Sequence, residues 1–238
     1  MLEMQRIAVI NPKGGSGKTI LATNLASFFC QQGKLTTLMD LDPQGSSVFW
    51  MLNRPDSAPH IQLVDAHNCP HNVTRSWAIQ PPRNTEVLIL DTPARPDLTN
   101  LSPLLREATA ILIPTLLAGF DRNALVNTIQ ELRRMLPSQR NMALVINRSS
   151  TTSQDIQQSG KLGKELKLPV IATLRDSQTF LETATSGLGV YEQQGDQYQA
   201  DKQEIEKIAE WCTKAATRLN EEPGKRLNPD VIAMASLA

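Results

Sequence analysis

The stretch Lys13-Gly14-Gly15-Ser16-Gly17-Lys18-Thr19 decides the fold. The apolar run Ile7-Ala8-Val9-Ile10 precedes it, and an apolar-periodic segment begins behind it at Ile20. That order predicts a strand, a glycine-rich turn and a helix. Glycines let the backbone fold tightly and aim several N–H groups at one small anion. The following helix points its positive end at the same place. Lys18 supplies a full charge for β- and γ-phosphates, and the Thr19 hydroxyl supplies a ligand for Mg²⁺. A bare Gly-Lys-Thr occurs by chance in surface turns. Seven consecutive matching residues between a strand and a helix argue against that bland reading.

Outward from this loop, strands and helices alternate. Expected strands are Arg6–Asn11, Leu35–Met39, Ile61–Val64, Glu86–Leu90, Ala110–Pro114, Met142–Ile146 and Pro169–Leu174. Expected helices run over 18–32, Ser47–Leu52, Val73–Ile79, Asp121–Leu136, Gln154–Leu168 and Asp201–Asn220, with Gly33 closing the first as a C-cap. The last helix carries a stripe of Ile205, Ile208, Cys212, Ala215 and Leu219. Most strands are continuous apolar runs, which predicts a mostly parallel twisted sheet covered by helices on both faces. The expected organisation is a single α/β domain over 1–220 and a poorly ordered tail over 221–238.

Two further strand ends carry acids. The second strand leads into Asp40-Leu41-Asp42-Pro43-Gln44-Gly45-Ser46, and the fourth into Asp91-Thr92-Pro93-Ala94. Carboxylates at the C-terminal ends of parallel strands lie on the ligand side of such a sheet. There they orient Mg²⁺ and its waters, or position an attacking water. The competing reading of the first pair is an N-cap for the helix at Ser47.

The 238 residues hold 24 basic and 24 acidic side chains, so net charge is zero. That balance argues against a constitutive, strongly basic nucleic-acid binder. It leaves room for a local patch that becomes effective when two copies are held together. No apolar run reaches membrane-spanning length, and Met1–Arg6 lacks a signal-peptide pattern. Cys30, Cys69 and Cys212 are widely spaced and read as reduced thiols, which implies a cytoplasmic protein. Residues 53–85 are broken by five prolines and hold His60, His67 and His71. The spacing His67-x-Cys69-x-His71 suggests a metal site, but Pro70 disturbs the helix such a ligand pair needs, and a solvated loop is the preferred reading.

The loop is of an uncommon kind. Lys-Gly-Gly-x-Gly-Lys-Thr resembles the deviant Walker A motif of the ParA/MinD family, with Lys13 in the place of its signature lysine. Asp-x-Asp-Pro-Gln-Gly resembles that family's switch I, and Asp-Thr-Pro-Ala its switch II entrance. More weakly, Asn147 and the stretch Arg175 to Gly189 resemble the segments around the adenine; as a lone residue, Asn147 reads equally well as a turn asparagine. The family usually has Ile-Pro before that arginine, where this chain has Thr173-Leu174.

The resemblance covers about residues 5–219 and implies the P-loop fold and a slow, Mg²⁺-dependent ATPase. Lys13, Lys18 and Asp42 would be catalytic. Gly14, Gly15, Ser16, Gly17, Lys18, Thr19, Ile20, Asn147 and Arg175 would bind ATP, and Thr19, Asp42 and Asp91 would hold the metal. Lys13 would reach across a homodimer that closes on ATP. The dimer would bind nucleoid DNA without sequence preference, and a ParB-like or other cargo adaptor would stimulate hydrolysis. Candidate phosphate contacts to DNA are Arg122, Lys161, Lys164, Lys207, Lys214 and Arg218. The cargo stays open among a plasmid, a chromosome origin, a carboxysome and a chemoreceptor cluster. Strand one begins at Arg6, which argues against an N-terminal helix-turn-helix domain.

The alternative is a MinD-like membrane-cycling ATPase. The tail Asn228–Ala238 lacks the basic and aromatic residues that a membrane-binding helix needs, so membrane attachment is not expected. A metabolic P-loop enzyme is a third reading, and no cysteine follows Asp91 closely enough for a cluster-bridging reductase. No arginine beside the loop offers itself as a finger acting in cis, so slow basal turnover is expected.

Overall fold

A computed structural model describes residues 4–67, 80–117, 122–136 and 141–221, and the elements below belong to those residues. In chain order they are β1 (Gln5–Val9), α1 (Lys18–Gln31), β2 (Thr36–Asp40), α2 (Ser46–Leu52), β3 (Gln62–Asp65), β4 (Val87–Asp91), α3 (Leu98–Arg106), β5 (Ala110–Leu116), α4 (Arg122–Met135), β6 (Met142–Ser149), α5 (Ser153–Leu166), β7 (Val170–Arg175), α6 (Gln178–Thr185) and α7 (Gln199–Glu221). Short 3₁₀ turns lie at Val190–Glu192 and Asp196–Tyr198.

The strands form one sheet in the order β3-β2-β4-β1-β5-β6-β7. Every pairing is parallel. Period-two alternation splits the strand side chains between two cores. Ile7, Val9, Leu38, Ile89, Leu112 and Val145 face α1 and α7, whose Leu21, Leu25, Ile205, Ile208 and Cys212 cover them. Ala8, Met39, Leu90, Ile113 and Ile146 face α3, α4 and α5, packed by Leu105, Leu125, Ile129, Leu132 and Leu162. Both faces are dry, so the strands read as unbroken apolar runs.

Three elements depart from expectation. Helix α1 was expected to bury one stripe, yet every residue from Leu21 to Cys30 is buried. It is enclosed by the sheet, α2, α7 and the 190–192 turn, so Thr23, Asn24 and Ser27 are inside as well. Helices α3 and α6 were not expected. Pro103 within α3 hides its periodicity, and its signal is the cap: Asp97 Oδ1 accepts from the backbone N–H groups of Thr99 and Asn100. Ser177 caps α6 in the same way. Helix α7 runs to Glu221, one residue past the domain boundary drawn from the sequence. The Val73–Ile79 helix, Cys69, His71 and the tail beyond 221 lie outside the described residues.

Candidate nucleotide site

Strand β1 lies between β4 and β5, where the order of the sheet reverses. Ligands of open α/β sheets bind outside the strand ends at such a point. The chain leaving β1 is anchored there. Ile10 donates its N–H to the Leu112 carbonyl at 2.9 Å. The buried Asn11 donates through Nδ2 to the Pro114 carbonyl at 2.7 Å and accepts from the Lys13 N–H at 2.8 Å. Gly15 and Gly17 then take φ values of 74° and 94°, in the left-handed region where a side chain is strained.

Gly17 also needs its missing Cβ for a second reason. A methyl there would lie 1.9 Å from Asn147 Nδ2. That amide donates to the Ser16 carbonyl at 2.9 Å, fully buried, and braces the loop from the β6 side. A bulge aims it. Between the pairs Ile146–Thr173 and Ser149–Arg175, β6 advances three residues while β7 advances two. The extra residue leaves Arg148 at φ 50° with its N–H on Asn147 Oδ1 at 3.0 Å.

Lys18 is 6% exposed, and its Nζ donates to the Lys13 carbonyl at 3.2 Å. Burial lowers its pKa, and the nearby Asp91 and Asp42 oppose that shift. Gly17 caps α1 without a side-chain hydrogen bond, and no acid stands in the first turn. The free N–H groups and a positive lysine therefore converge on one small volume, which suits an anion.

Two carboxylates, Asp91 and Asp42, act on Lys18, and a third, Asp40, stands beside Asp91. Asp40 and Asp91 are register partners at the ends of β2 and β4. Asp91 is buried, with Oδ2 taking the Ser47 hydroxyl at 2.8 Å and Oδ1 making no hydrogen bond. Burial pushes its pKa up to about 7 against the hydroxyls of Ser47 and Thr19; the Asp40 charge adds to the rise and Lys18 opposes it. Asp40 shapes the next segment: its Oδ1 accepts from the Asp42 N–H at 2.9 Å and its Oδ2 from the Val48 N–H at 3.0 Å. Burial raises its pKa, and these N–H groups hold it down. Asp42 is half-buried and accepts from the Gln44 N–H at 3.0 Å. The N-cap reading holds for one acid of the pair: Gly45 occupies the cap position of α2 with no side-chain bond, and Asp40 takes the first-turn Val48 N–H in its place, whereas Asp42 does not.

Lys13, Lys18, Thr19, Asp42, Asp91 and Asn147 thus gather around one loop. Ile20 packs half-buried against the core. Arg175 is committed elsewhere, with Nε and Nη2 on the two oxygens of Asp201 at 2.7 and 2.9 Å. The six basic candidates divide. Arg122, Lys161 and Lys164 lie on α4 and α5 over one face of the sheet, and Lys207, Lys214 and Arg218 on α7 over the other. Arg122, Lys207 and Lys214 are paired with Glu165, Glu204 and Glu210. His60 and His67 are exposed, and the described residues hold no His, Cys, Asp and Glu cluster fit for a metal.

Arg95 donates its backbone N–H to the Pro12 carbonyl at 3.0 Å, four residues after Asp91. The sequence order conceals this because the contact joins two strand ends 83 residues apart. The structure also adds Asn11, Asp40 and Ser47 to the site's framework. Their signal was position at strand ends and helix starts.

Known proteins share the fold and much of the sequence. The chain is 30% identical over 191 residues to the maintenance of carboxysome distribution protein A of Halothiobacillus neapolitanus, covering 78% of this chain and 86% of that protein. The Gloeobacter kilaueensis protein of the same name is 26% identical over 206 residues, covering 86% and 92%. The fold is shared with the ATP complex of a Cyanothece McdA variant (TM-score 0.64, 16% identity, 89% of this chain and 96% of that one). It is also shared with the Aquifex aeolicus cell division protein MinD (TM-score 0.63, 17% identity, 94% and 98%). Residues 7–190 match the CobQ/CobB/MinD/ParA nucleotide binding domain, and the chain belongs to that family.

Proposed function

We propose that this chain is a ParA-type ATPase that distributes a protein cargo of the carboxysome class along DNA. The observation that carries the reading is the meeting of Lys18, Asp42 and Asp91 around a left-handed glycine loop at the centre of the sheet. The likeness to two carboxysome-distribution proteins, over most of their length, supports the cargo class.

In this reading the N–H groups of Gly14 to Thr19 wrap the phosphates and Lys18 neutralises them. Ile20, Asn147 and the stem of Arg175 border the rest of the nucleotide. Thr19, Asp42 and Asp91 would hold Mg²⁺, and they fit it: Asp91 Oδ1 is buried without a hydrogen bond, and Thr19 acts on the same carboxyl. Bound there, Mg²⁺ would offset charge on the β- and γ-phosphates. Asp42 orients the attacking water, and Lys13 reaches a second subunit's phosphates. Phe49 and Leu52, 62% and 78% exposed on α2 just beyond the Asp42 segment, support burial against that second copy. Among the basic candidates, Lys161, Lys164 and Arg218 pair with no carboxylate among the described residues; two of these three stand on α5, which supports that face as the DNA contact.

The test uses the full chain with ATP and Mg²⁺. Wild type is expected to elute as a dimer and to pellet with non-specific DNA. Lys13→Ala is expected to lose both behaviours, and Asp42→Ala to bind ATP, hydrolyse it poorly and stay on DNA. An unchanged elution shift in Lys13→Ala refutes the dimer switch. Strong ATP-dependent pelleting with anionic liposomes in place of DNA refutes the DNA reading in favour of membrane cycling.

A further inference from the structure

Ser47 spends its hydroxyl in a way that other buried helical hydroxyls of this chain do not. Such groups commonly donate back to a carbonyl three or four residues earlier in their own helix. Thr23 and Thr183 do so, to the carbonyls of Thr19 at 2.8 Å and Thr179 at 2.9 Å. Ser47 stands in the first turn of α2 and is fully buried. Its Oγ donates to Asp91 Oδ2 at 2.8 Å, at the end of a strand 44 residues away.

Helix α2 is held at both ends, which fixes where that hydroxyl lies. At its start, the Asp40 carboxylate accepts from the N–H groups of Ser47 and Val48. At its end, Trp50 Nε1 donates to the Leu188 carbonyl at 3.2 Å, and Arg54 Nη1 donates to the Gly187 carbonyl at 2.9 Å. Asp40 and Asp91 are register partners on neighbouring strands, so the first turn of α2 is bonded to both. An aspartate carboxyl turns easily about its last torsion, whose wells are broad. The Ser47 bond removes that freedom at Asp91. With Oδ2 taken, Oδ1 is left buried and without a hydrogen bond. A buried carboxylate oxygen without a partner is costly until a ligand completes it.

We propose that Ser47 is a positioning residue for Mg²⁺: it holds the Asp91 carboxyl so that Oδ1 is presented to the metal or to a water bound to it. This rests on the nucleotide-binding reading above. Hydrogen bonds that orient a metal-binding side chain contribute strongly to metal affinity, although they touch no metal themselves. Ser47 acts only through Asp91. It also follows Asp42 on one short segment, so its bond to β4 ties the two acids of the site into a single frame.

The experiment measures binding of a non-hydrolysable ATP analogue to the full chain, in EDTA and across a Mg²⁺ titration. Variants are Ser47→Ala and Ser47→Thr, and the melting temperature of each is taken without nucleotide. Ser47→Ala is expected to raise the Mg²⁺ concentration that gives half of the gain in analogue affinity by about 10- to 100-fold. Its affinity in EDTA is expected to stay within about 2-fold of wild type, since the loop N–H groups and Lys18 are untouched. Ser47→Thr keeps the hydroxyl and is expected to recover most of the Mg²⁺ response; if its added methyl lowers the melting temperature below that of Ser47→Ala, the alanine variant decides alone. A Ser47→Ala protein that melts lower but responds to Mg²⁺ as wild type does overturns the proposal, because the bond is then structural only. An equal loss of affinity in EDTA and in Mg²⁺ overturns it as well. A wild type whose analogue affinity gains nothing from Mg²⁺ overturns the reading on which the proposal rests, and the proposal with it.

Discussion

Gly17→Ala is expected to destabilise the chain through two separable effects. First, at φ 94° an alanine sits in the left-handed region, which costs about 1–2 kcal/mol. Second, the new methyl falls 1.9 Å from Asn147 Nδ2, so that amide must leave. Its departure strands the buried Ser16 carbonyl it now satisfies at 2.9 Å, a loss of about 1–3 kcal/mol. The sum is about 2–5 kcal/mol. For a chain of this size the melting temperature falls on the order of 10 °C. The decisive assay is a double-mutant cycle by denaturant unfolding. Asn147→Ala alone strands the same carbonyl, so in the double variant that cost is counted once. The two changes should then be non-additive by about 1–3 kcal/mol, with the double variant more stable than the sum implies. Additivity within about 0.5 kcal/mol would show that Gly17 and Asn147 do not share this contact. A melting temperature unchanged in Gly17→Ala would refute the whole account of the loop.

Three further outcomes are expected. The nearly buried Glu192 pairs with Arg54 at 2.5 Å, in a site where Arg54 also donates to the carbonyls of Gly187 and Pro59. Burial alone would raise the Glu192 pKa, but the Arg54 and Gly189 N–H groups hold it below its usual 4.5. Its stabilisation is therefore full above that value and lost as pH falls through the lower folded value. Glu192→Gln should cost about 3 kcal/mol at pH 7, a gap that closes in unfolding curves taken below pH about 4.5. Burial pushes the thiols of Cys30 and Cys212 up. In a Cys69→Ser variant, native protein should react with a thiol reagent only as fast as it unfolds, and a fast stoichiometric burst would contradict the burial of both. Lys161→Glu with Lys164→Glu should weaken ATP-dependent DNA binding and flatten its salt dependence, whereas Lys207→Glu with Lys214→Glu should do far less, since Glu204 and Glu210 already balance those charges. The reverse ranking in a salt titration would move the DNA face to α7.

Residues within each motif determined the local chemistry of the site. Seven consecutive loop residues, and acids directly after apolar runs, depend on short-range geometry: glycine freedom, a helix start and the exit of a strand. Local spacing expresses such features fully, so Lys13 to Thr19, Asp42 and Asp91 were legible, as was the parallel sheet from its apolar runs. Tertiary structure decided what lies between the motifs. Helix α1 is enclosed on all sides because three elements remote in sequence pack on it, and no periodicity within 18–31 records that. Asn147 braces the loop only through a bulge against β7. Arg175, expected near the base, is drawn to Asp201, 26 residues on. Arg95 reaches the loop because the order β2-β4-β1 sets the fourth strand beside the first. A sequence displays neighbours along the chain, whereas hydrogen bonds and ion pairs form between neighbours in space.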